Sequence, residues 1–243
     1  MWQIQWLESC ESTQFELRER FMRNPELLGS VFATENQTAG HGRKGRVWES
    51  PKGNLSFSVI FKVPDVAKAY LINILAAQIL VETLEKFVPH VPFRLKWPND
   101  IWCHNKKLAG LLSELLPNSN VVLLGLGLNL NSSRSDFSAE LRNQIITLKD
   151  VTGTLFSAET FLKEFILRFA ASLPILQQYG LGVYLPKIHK QLQFLGEDVT
   201  LWENGTTVAE GKLQGIDADG QILLLTDKQV VAKQLTGDLT LRA

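Results

Sequence analysis

"TAGHGRKGRVWESPKGN", residues 38–54, decides how this chain is read. Gly40, Gly42 and Gly45 spell G-x-G-x-x-G, and Arg43, Lys44 and Arg46 crowd three cations into the same turn. A dinucleotide-binding turn needs a helix opening directly after the third glycine. Pro51, Gly53 and Asn54 oppose a helix there, and the next regular element reads as a strand. The Rossmann reading therefore fails on context. A kinase glycine loop also lies between strands, but no H-R-D or D-F-G follows. Neither G-K-[ST], H-E-x-x-H nor G-x-S-x-G occurs, and the four histidines show no ligand spacing. Two physical readings of the loop stand. It is a phosphate-grasping lid, flexible at its glycines, with amides that form an anion nest and arginines that fork onto phosphate. Or it is a solvated basic turn.

The 243 residues suit one substantial domain with a small appendage, and 45% hydrophobic residues supply a core. A formal net charge of +0 gives no general pull on nucleic acid or membranes, so any basic function is local. Cys10 and Cys103 lie far apart and form no C-x-x-C. "MWQIQWLESC" lacks a basic start followed by an apolar core, so no signal peptide is expected. The apolar run "YLINILAAQILV" has 12 residues, too few to span a bilayer. A cytoplasmic protein of a reducing compartment is expected.

Strand "SVFAT" (30–34) enters the glycine loop, and "LSFSVIFKV" (55–63) alternates. Leu55, Phe57, Val59, Phe61 and Val63 share a face, which predicts a half-buried strand. Upstream, Thr13-x-x-Glu16 is a capping-box pattern opening a helix. Residues 67–87 read as a helix that is apolar nearly all round, hence deeply buried. "FRLKWPNDIWCHNKKLAGLLSELL" reads as strand, turn and hairpin, broken at Pro98 and turned at His104-Asn105-Lys106. "NVVLLGLGLNLN" is a buried strand on which Gly125, Gly127 and Asn129 share a face. Two missing side chains there leave a flat slot where a ligand touches backbone, although close packing against another element also explains strand glycines. "SAETFLKEFILRFAASL" is an amphipathic helix that Pro174 is expected to kink or end. Beyond about residue 190 the chain turns to short alternating strands, with Asn204-Gly205 and Asp219-Gly220 as turns. That composition fits a small antiparallel barrel.

In order, Ser12-Thr13, "ATENQTAGHGRKGRVW", "KWPND", "KKLAGLLSE", "GLGLNLN" and a C-terminal "GDLTLR" resemble the biotin–protein ligase family over nearly the whole chain. The resemblance implies an α/β (α+β) fold, a mixed β-sheet flanked by helices as in class II synthetase-like catalytic domains, over residues 1–190. It implies a small SH3-like β-barrel over 191–243. It implies two steps. Biotin's carboxylate attacks the α-phosphate of ATP, with Mg²⁺ present, to give biotinyl-5′-adenylate and pyrophosphate; a lysine of a biotin carboxyl carrier protein then takes the biotinyl group.

By that resemblance Lys107 supplies positive charge between biotin's carboxylate and the α-phosphate, where two anions must meet. Arg43 grips the adenylate phosphate and Arg46 helps order the closed loop, which excludes water. Ser12, Thr13 and Gln37 face the polar edge of biotin, and Thr13 also suits a helix cap. Gly40, Gly110, Leu112, Gly125 and Gly127 line the rest of the biotin pocket. Asn129 and the loop 130–146 face the nucleotide. Trp48 packs near the ligand or in the core. Asn99 and Asp100 position ATP, Mg²⁺ or the lid, or simply make the turn after Pro98. No protein metal ligands are assigned. His41 departs from the family by standing where many members carry arginine, which puts a titratable group beside the biotin site.

Relatives with an N-terminal winged helix-turn-helix repress transcription. Only eleven residues precede Ser12, so a ligase without repressor function and without nucleic-acid or membrane partners is expected, with a homodimer left open. The nearest rival is a lipoate–protein ligase or octanoyl transferase of the same fold, whose R-R-x-S-G-G-G type stretch is missing. A nucleic-acid-binding protein using the basic loop is the rival from another class; neutral charge argues against it.

Overall fold

The computed structural model describes residues 2–227, 231–234 and 236–242, with side chains undescribed at 231–233. Residues 228–230, 235 and 243 of the expected barrel thus lie outside the described residues. In chain order the elements are β1 (Gln3–Trp6), α1 (Thr13–Arg23), β2 (Ser30–Thr34), β3 (Gly40–His41), β4 (Val47–Trp48), β5 (Leu55–Lys62) and α2 (Leu71–Phe87). Then come β6 (Phe93–Lys96), β7 (Asp100–Cys103), β8 (Lys106–Leu115), β9 (Val121–Leu128), α3 (Leu148–Thr152), α4 (Ala158–Tyr179) and α5 (Leu185–Gln191). The last five are β10 (Asp198–Glu203), β11 (Thr206–Ile216), β12 (Ile222–Leu225), β13 (Val231–Gln234) and β14 (Asp238–Leu241).

A seven-stranded sheet of order β1-β2-β5-β9-β8-β7-β6 is parallel at β1–β2 and antiparallel elsewhere. One face carries Val31, Phe57, Val59, Leu124 and Leu126 against α2 and α4. Phe165 and Phe169 of α4 pack on Phe57 and Phe61 of that face and Phe161 on Phe87 of α2, each worth about 1.5–3 kcal/mol of burial. On the other face α1 covers β2, β5 and the far end of β9 through Leu17, Phe32, Ile60 and Leu123. The rest of that face is left for the site.

Three local expectations are corrected. β5 is buried on both faces, not half-buried, because α1 and the site cover the side that Ser56 and Ser58 occupy. Ser12, not Thr13, caps α1: its hydroxyl accepts from the Phe15 N–H, which leaves Thr13 free to point inward. Pro174 neither ends α4 nor stops its last turn; the helix continues to Tyr179 and closes at Gly180. β1, which the sequence reading passed over, is an edge strand held parallel to β2.

β10–β14 form a five-stranded sheet of order β13-β12-β11-β10-β14, in which the first strand pairs with the last. It fits the small barrel-like unit expected there. Asn204 and Gly205 turn at positive φ, as the tight hairpin requires. Its buried Val199, Leu201, Leu213, Ile222 and Leu239 belong to the same hydrophobic cluster as the main sheet. A sheet of this size gains from that shared core. No helix of the described residues is long and apolar enough to cross a membrane.

Candidate active site

On the uncovered face of the sheet, alternation and register write a row of missing or short side chains. Ser56 of β5 opposes Gly127 of β9, which opposes Gly110 of β8, which opposes Asp100 of β7, which opposes Lys96 of β6. A parallel row runs Ser58, Gly125, Leu112. Above these rows lies a cavity of about 520 Å³.

The structure brings most of the candidate residues onto its wall. Ser12, Thr13, Gln37, His41, Arg43, Arg46, Trp48, Asn99, Asp100, Lys107, Gly110, Leu112, Gly125, Gly127 and Asn129 all line it. Gly40 stands just behind: a Cβ there would come 2.5 Å from Gln37 Nε2 and 2.6 Å from the Trp48 carbonyl. Phe137, Leu141, Asn143 and Ile145 of the segment after β9 also line it.

One end is small, buried and polar. The Thr13 N–H donates to Gln37 Oε1 at 3.0 Å, and the Thr13 and Ser58 hydroxyls lie 2.8 Å apart. Thr13 is only 3% exposed. Gln14 lies over Gly125 with its Nε2 donor unsatisfied, and a Cβ at 125 would overlap it. Sequence reasoning missed Ser58 and Gln14. The signal for Ser58 was the polar half of the β5 alternation, which reads as a solvent face unless something covers it.

The centre is ionic. Lys107 Nζ lies 2.8 Å from Asp100 Oδ1 and 5.5 Å from the centroid of the Trp48 ring. Its backbone is clamped by the Gln144 carbonyl and the Ile146 N–H. A Cβ at Gly110 would sit 3.3 Å from Lys107 Nζ and 3.2 Å from the Trp48 ring, so glycine makes room for both. Trp48 itself lies on Gly127, where any Cβ would overlap the indole; among the described residues its Nε1 finds no hydrogen-bond acceptor. The slot between the two strand glycines is therefore partly filled by the protein's own Trp48 and Gln14. Asn129 is 1% exposed and donates to the carbonyls of Lys107 and Ile146, fixing the segment that carries them.

The glycine loop is a small flap. Gly40 pairs with Trp48 and His41 with Val47, and the Gly42 N–H donates to the Arg46 carbonyl at 2.7 Å. Of its three glycines only Gly45 takes positive φ. Lys44 does so as well, at φ 57°. The flap's cations are turned toward the C-terminal sheet. Arg43 donates to Asn99 Oδ1 at 3.1 Å and to the Gly237 carbonyl at 3.5 Å. Arg46 lies 3.4 Å and Lys44 3.6 Å from the Asp238 carboxylate. Burial works to raise the Asp238 carboxyl, but the charges of Arg46, Lys44 and Arg43 outweigh it and hold its pKa below the usual aspartate value. Asn99, 8% exposed, also donates to the Leu111 carbonyl at 2.7 Å. It thus serves both the turn and the flap.

Comparisons with known proteins point to one family. The model of the biotin/lipoate A/B protein ligase family matches residues 6–131. The chain is 30% identical to "Bifunctional ligase/repressor BirA" of Bacillus subtilis, over 97% of this chain and 72% of that protein. It is 29% identical to "Biotin--[acetyl-CoA-carboxylase] ligase" of Paracoccus denitrificans, over 82% of this chain and 86% of that one. Among solved structures, biotin protein ligase from Aquifex aeolicus in complex with biotin and ATP superposes with a TM-score of 0.85. It is 28% identical, and the match covers 99% of this chain and 98% of that one.

Proposed function

The chain belongs to the biotin/lipoate A/B protein ligase family, and from that premise we propose that its cavity activates biotin with ATP and passes it to a lysine of a biotin carboxyl carrier protein. The observation that carries the reading is Lys107, an ammonium held at the floor of a cavity that also presents a buried polar end and the flap's arginines. Residues 1–190 are the catalytic unit in this reading, and 191–243 the small domain that engages the flap.

Biotin enters with its ureido edge toward Ser12, Thr13, Gln37 and Ser58, and its apolar ring along Leu112 and the strand glycines. Its carboxylate then points at Lys107. Lys107 offsets the repulsion between that carboxylate and the α-phosphate of ATP, and it stabilises the charge that builds on phosphorus. Pyrophosphate leaves, and biotinyl-5′-adenylate remains. Trp48, Asn129 and the 130–146 segment flank the nucleoside. Arg43 and Arg46 exchange Asn99 and Asp238 for phosphate oxygens, which closes the flap over an anhydride that water would destroy. The carrier's lysine amine attacks the acyl carbon and AMP departs. Magnesium arrives with ATP as part of that substrate. Among the described residues no three His, Cys, Asp or Glu gather into a ligand set. When bound, the ion would neutralise phosphate charge, and Asp100 on the cavity floor is a carboxylate that would help hold it.

ATP–pyrophosphate exchange with Mg²⁺, with biotin, lipoate or octanoate added singly, tests the reading. Exchange with biotin alone is expected. Exchange with lipoate or octanoate alone would keep the fold and overturn the biotin pocket.

A further inference from the structure

Four cations line the cavity: Arg43, Arg46, Lys96 and Lys107. Three are committed to acceptors. Arg43 donates to Asn99 and the Gly237 carbonyl, Arg46 pairs with Asp238, and Lys107 pairs with Asp100. Among the described residues Lys96 is the exception. Its ammonium has no hydrogen-bond acceptor and no ion pair among them, and it lies over the Trp102 ring, 4.3 Å from Nζ to centroid. Burial pushes the Lys96 ammonium down from the usual lysine value, Asp100 and Asp238 pull it up, and Lys107 and Arg46 push it down again. It therefore stands within electrostatic reach of both the Lys107–Asp100 floor and the Asp238–Arg46 flap contact. A half-buried cation without a counter-ion costs stability, so it asks for an anion from outside.

The register says which anion. Lys96 directly opposes Asp100, so both side chains emerge on the cavity face. From the buried polar end the sheet runs β5, β9, β8, β7, β6, with Lys107 on β8 and Lys96 on the outermost strand. At about 4.8 Å per strand, Lys96 stands roughly 10 Å beyond Lys107's strand, on the side away from Ser58 and Gly125. Displacement at phosphorus is in line, with the attacking and leaving oxygens on opposite sides. A carboxylate arriving from the Ser58–Gly125 end expels its leaving group toward β7 and β6.

Resting on the function proposed above, we propose that Lys96 is a catalytic residue of the adenylation step that binds the β- and γ-phosphates of ATP and the pyrophosphate that departs. In that step a bond forms between a biotin carboxylate oxygen and the α-phosphorus. The bond from that phosphorus to the α–β bridging oxygen breaks, and its electron pair leaves with pyrophosphate. No proton is transferred. Lys96 neutralises the charge that accumulates on the departing group, adding to Lys107 and the flap arginines a cation on the leaving-group side of the cavity.

The test separates the two half-reactions. Wild-type protein is first assayed for biotin-dependent ATP–pyrophosphate exchange. Lys96→Gln is then expected to lower kcat/KM for ATP by about 100-fold or more, the usual effect of removing one preorganised charge. KM for pyrophosphate in the reverse reaction should rise. Transfer from synthetic biotinyl-5′-adenylate to the carrier domain should stay within about two-fold, because that half-reaction has no pyrophosphate and its site is intact. Retained biotin binding reports a folded variant, and Lys96→Arg should restore part of the pyrophosphate affinity. If Lys96→Gln leaves both ATP and pyrophosphate parameters unchanged, or slows transfer as much as adenylation, the assignment is wrong. A wild-type protein without biotin-dependent exchange would instead overturn the function on which the assignment rests.

Discussion

Lys107 is the side chain on which the chemistry turns, and its surroundings say what its loss does. It is partly exposed and pairs with a carboxylate that is partly exposed too, so its contribution to stability is small, about 0–1 kcal/mol. Its contribution to the reaction is the charge between two anions. Lys107→Ala should therefore lower adenylation by at least about 10²–10³-fold. The melting temperature should move by no more than about 4 °C. Pyrophosphate exchange and calorimetry on one preparation measure both; near-normal exchange would remove Lys107 from the mechanism. The sequence shows such residues unevenly. Lys107 follows from its motif, and Gly110 from needing room for Lys107 and Trp48. Lys96 opens the quoted KWPND motif and has no role there, because only the strand register shows it sharing a face with Asp100. Ser58 and Gln14 carry no motif at all. Their importance comes from α1 folding over β5, a long-range packing that local spacing does not encode.

The flap shows the same limit for elements. Its glycines and cations are plain in the sequence, but only Gly45 takes positive φ and only Gly40 answers a need for space, and the cations find partners 192–194 residues away. Those partners give the flap a pH dependence whose sign is fixed. The folded pKa of Asp238 is depressed, so its stabilising effect is fully present above the unfolded value of about 3.9. It is lost as pH falls through the lower folded value. Asp238→Asn removes it at every pH. The wild type should melt above this variant by a constant margin from about pH 5 upward, and the margin should close as pH falls below about 4. Since the carboxylate and Arg46 are substantially exposed, 1 M salt should shrink the margin at neutral pH. Calorimetry across pH reads this directly. A margin that persists unchanged into acid would mean that the carboxylate's charge is not what holds the flap to the C-terminal sheet.

That sheet is fastened to the catalytic floor at one turn. The Asp217 carboxylate accepts from the N–H groups of Asp219 and Gln221, both at 3.0 Å, which shapes the turn. Gly220 adopts φ +71° there, and its carbonyl accepts from buried Trp97 Nε1 at 3.0 Å. Trp97 stands beside Lys96 and two residues before Asn99, so the turn bears on the residues at the phosphate side of the cavity. A Cβ at Gly220 would come 2.7 Å from Ile74 Cδ1 and 2.9 Å from Leu71 Cδ2, both on α2. Gly220→Ala therefore combines left-handed backbone strain with crowding, about 1–3 kcal/mol in all. For a chain of this size the melting temperature should fall by about 2–10 °C. The polar end of the cavity is built by α1, Gln37, β5 and β9, and the hydrogen bonds that shape it involve none of the turn's residues. Biotin binding should accordingly hold within about two-fold while KM for ATP rises. Titration of biotin against the variant, beside its ATP dependence, separates the ends of the cavity. If biotin affinity fell in step with ATP affinity, the cavity would respond as one body, and the division of labour between its two ends would be wrong.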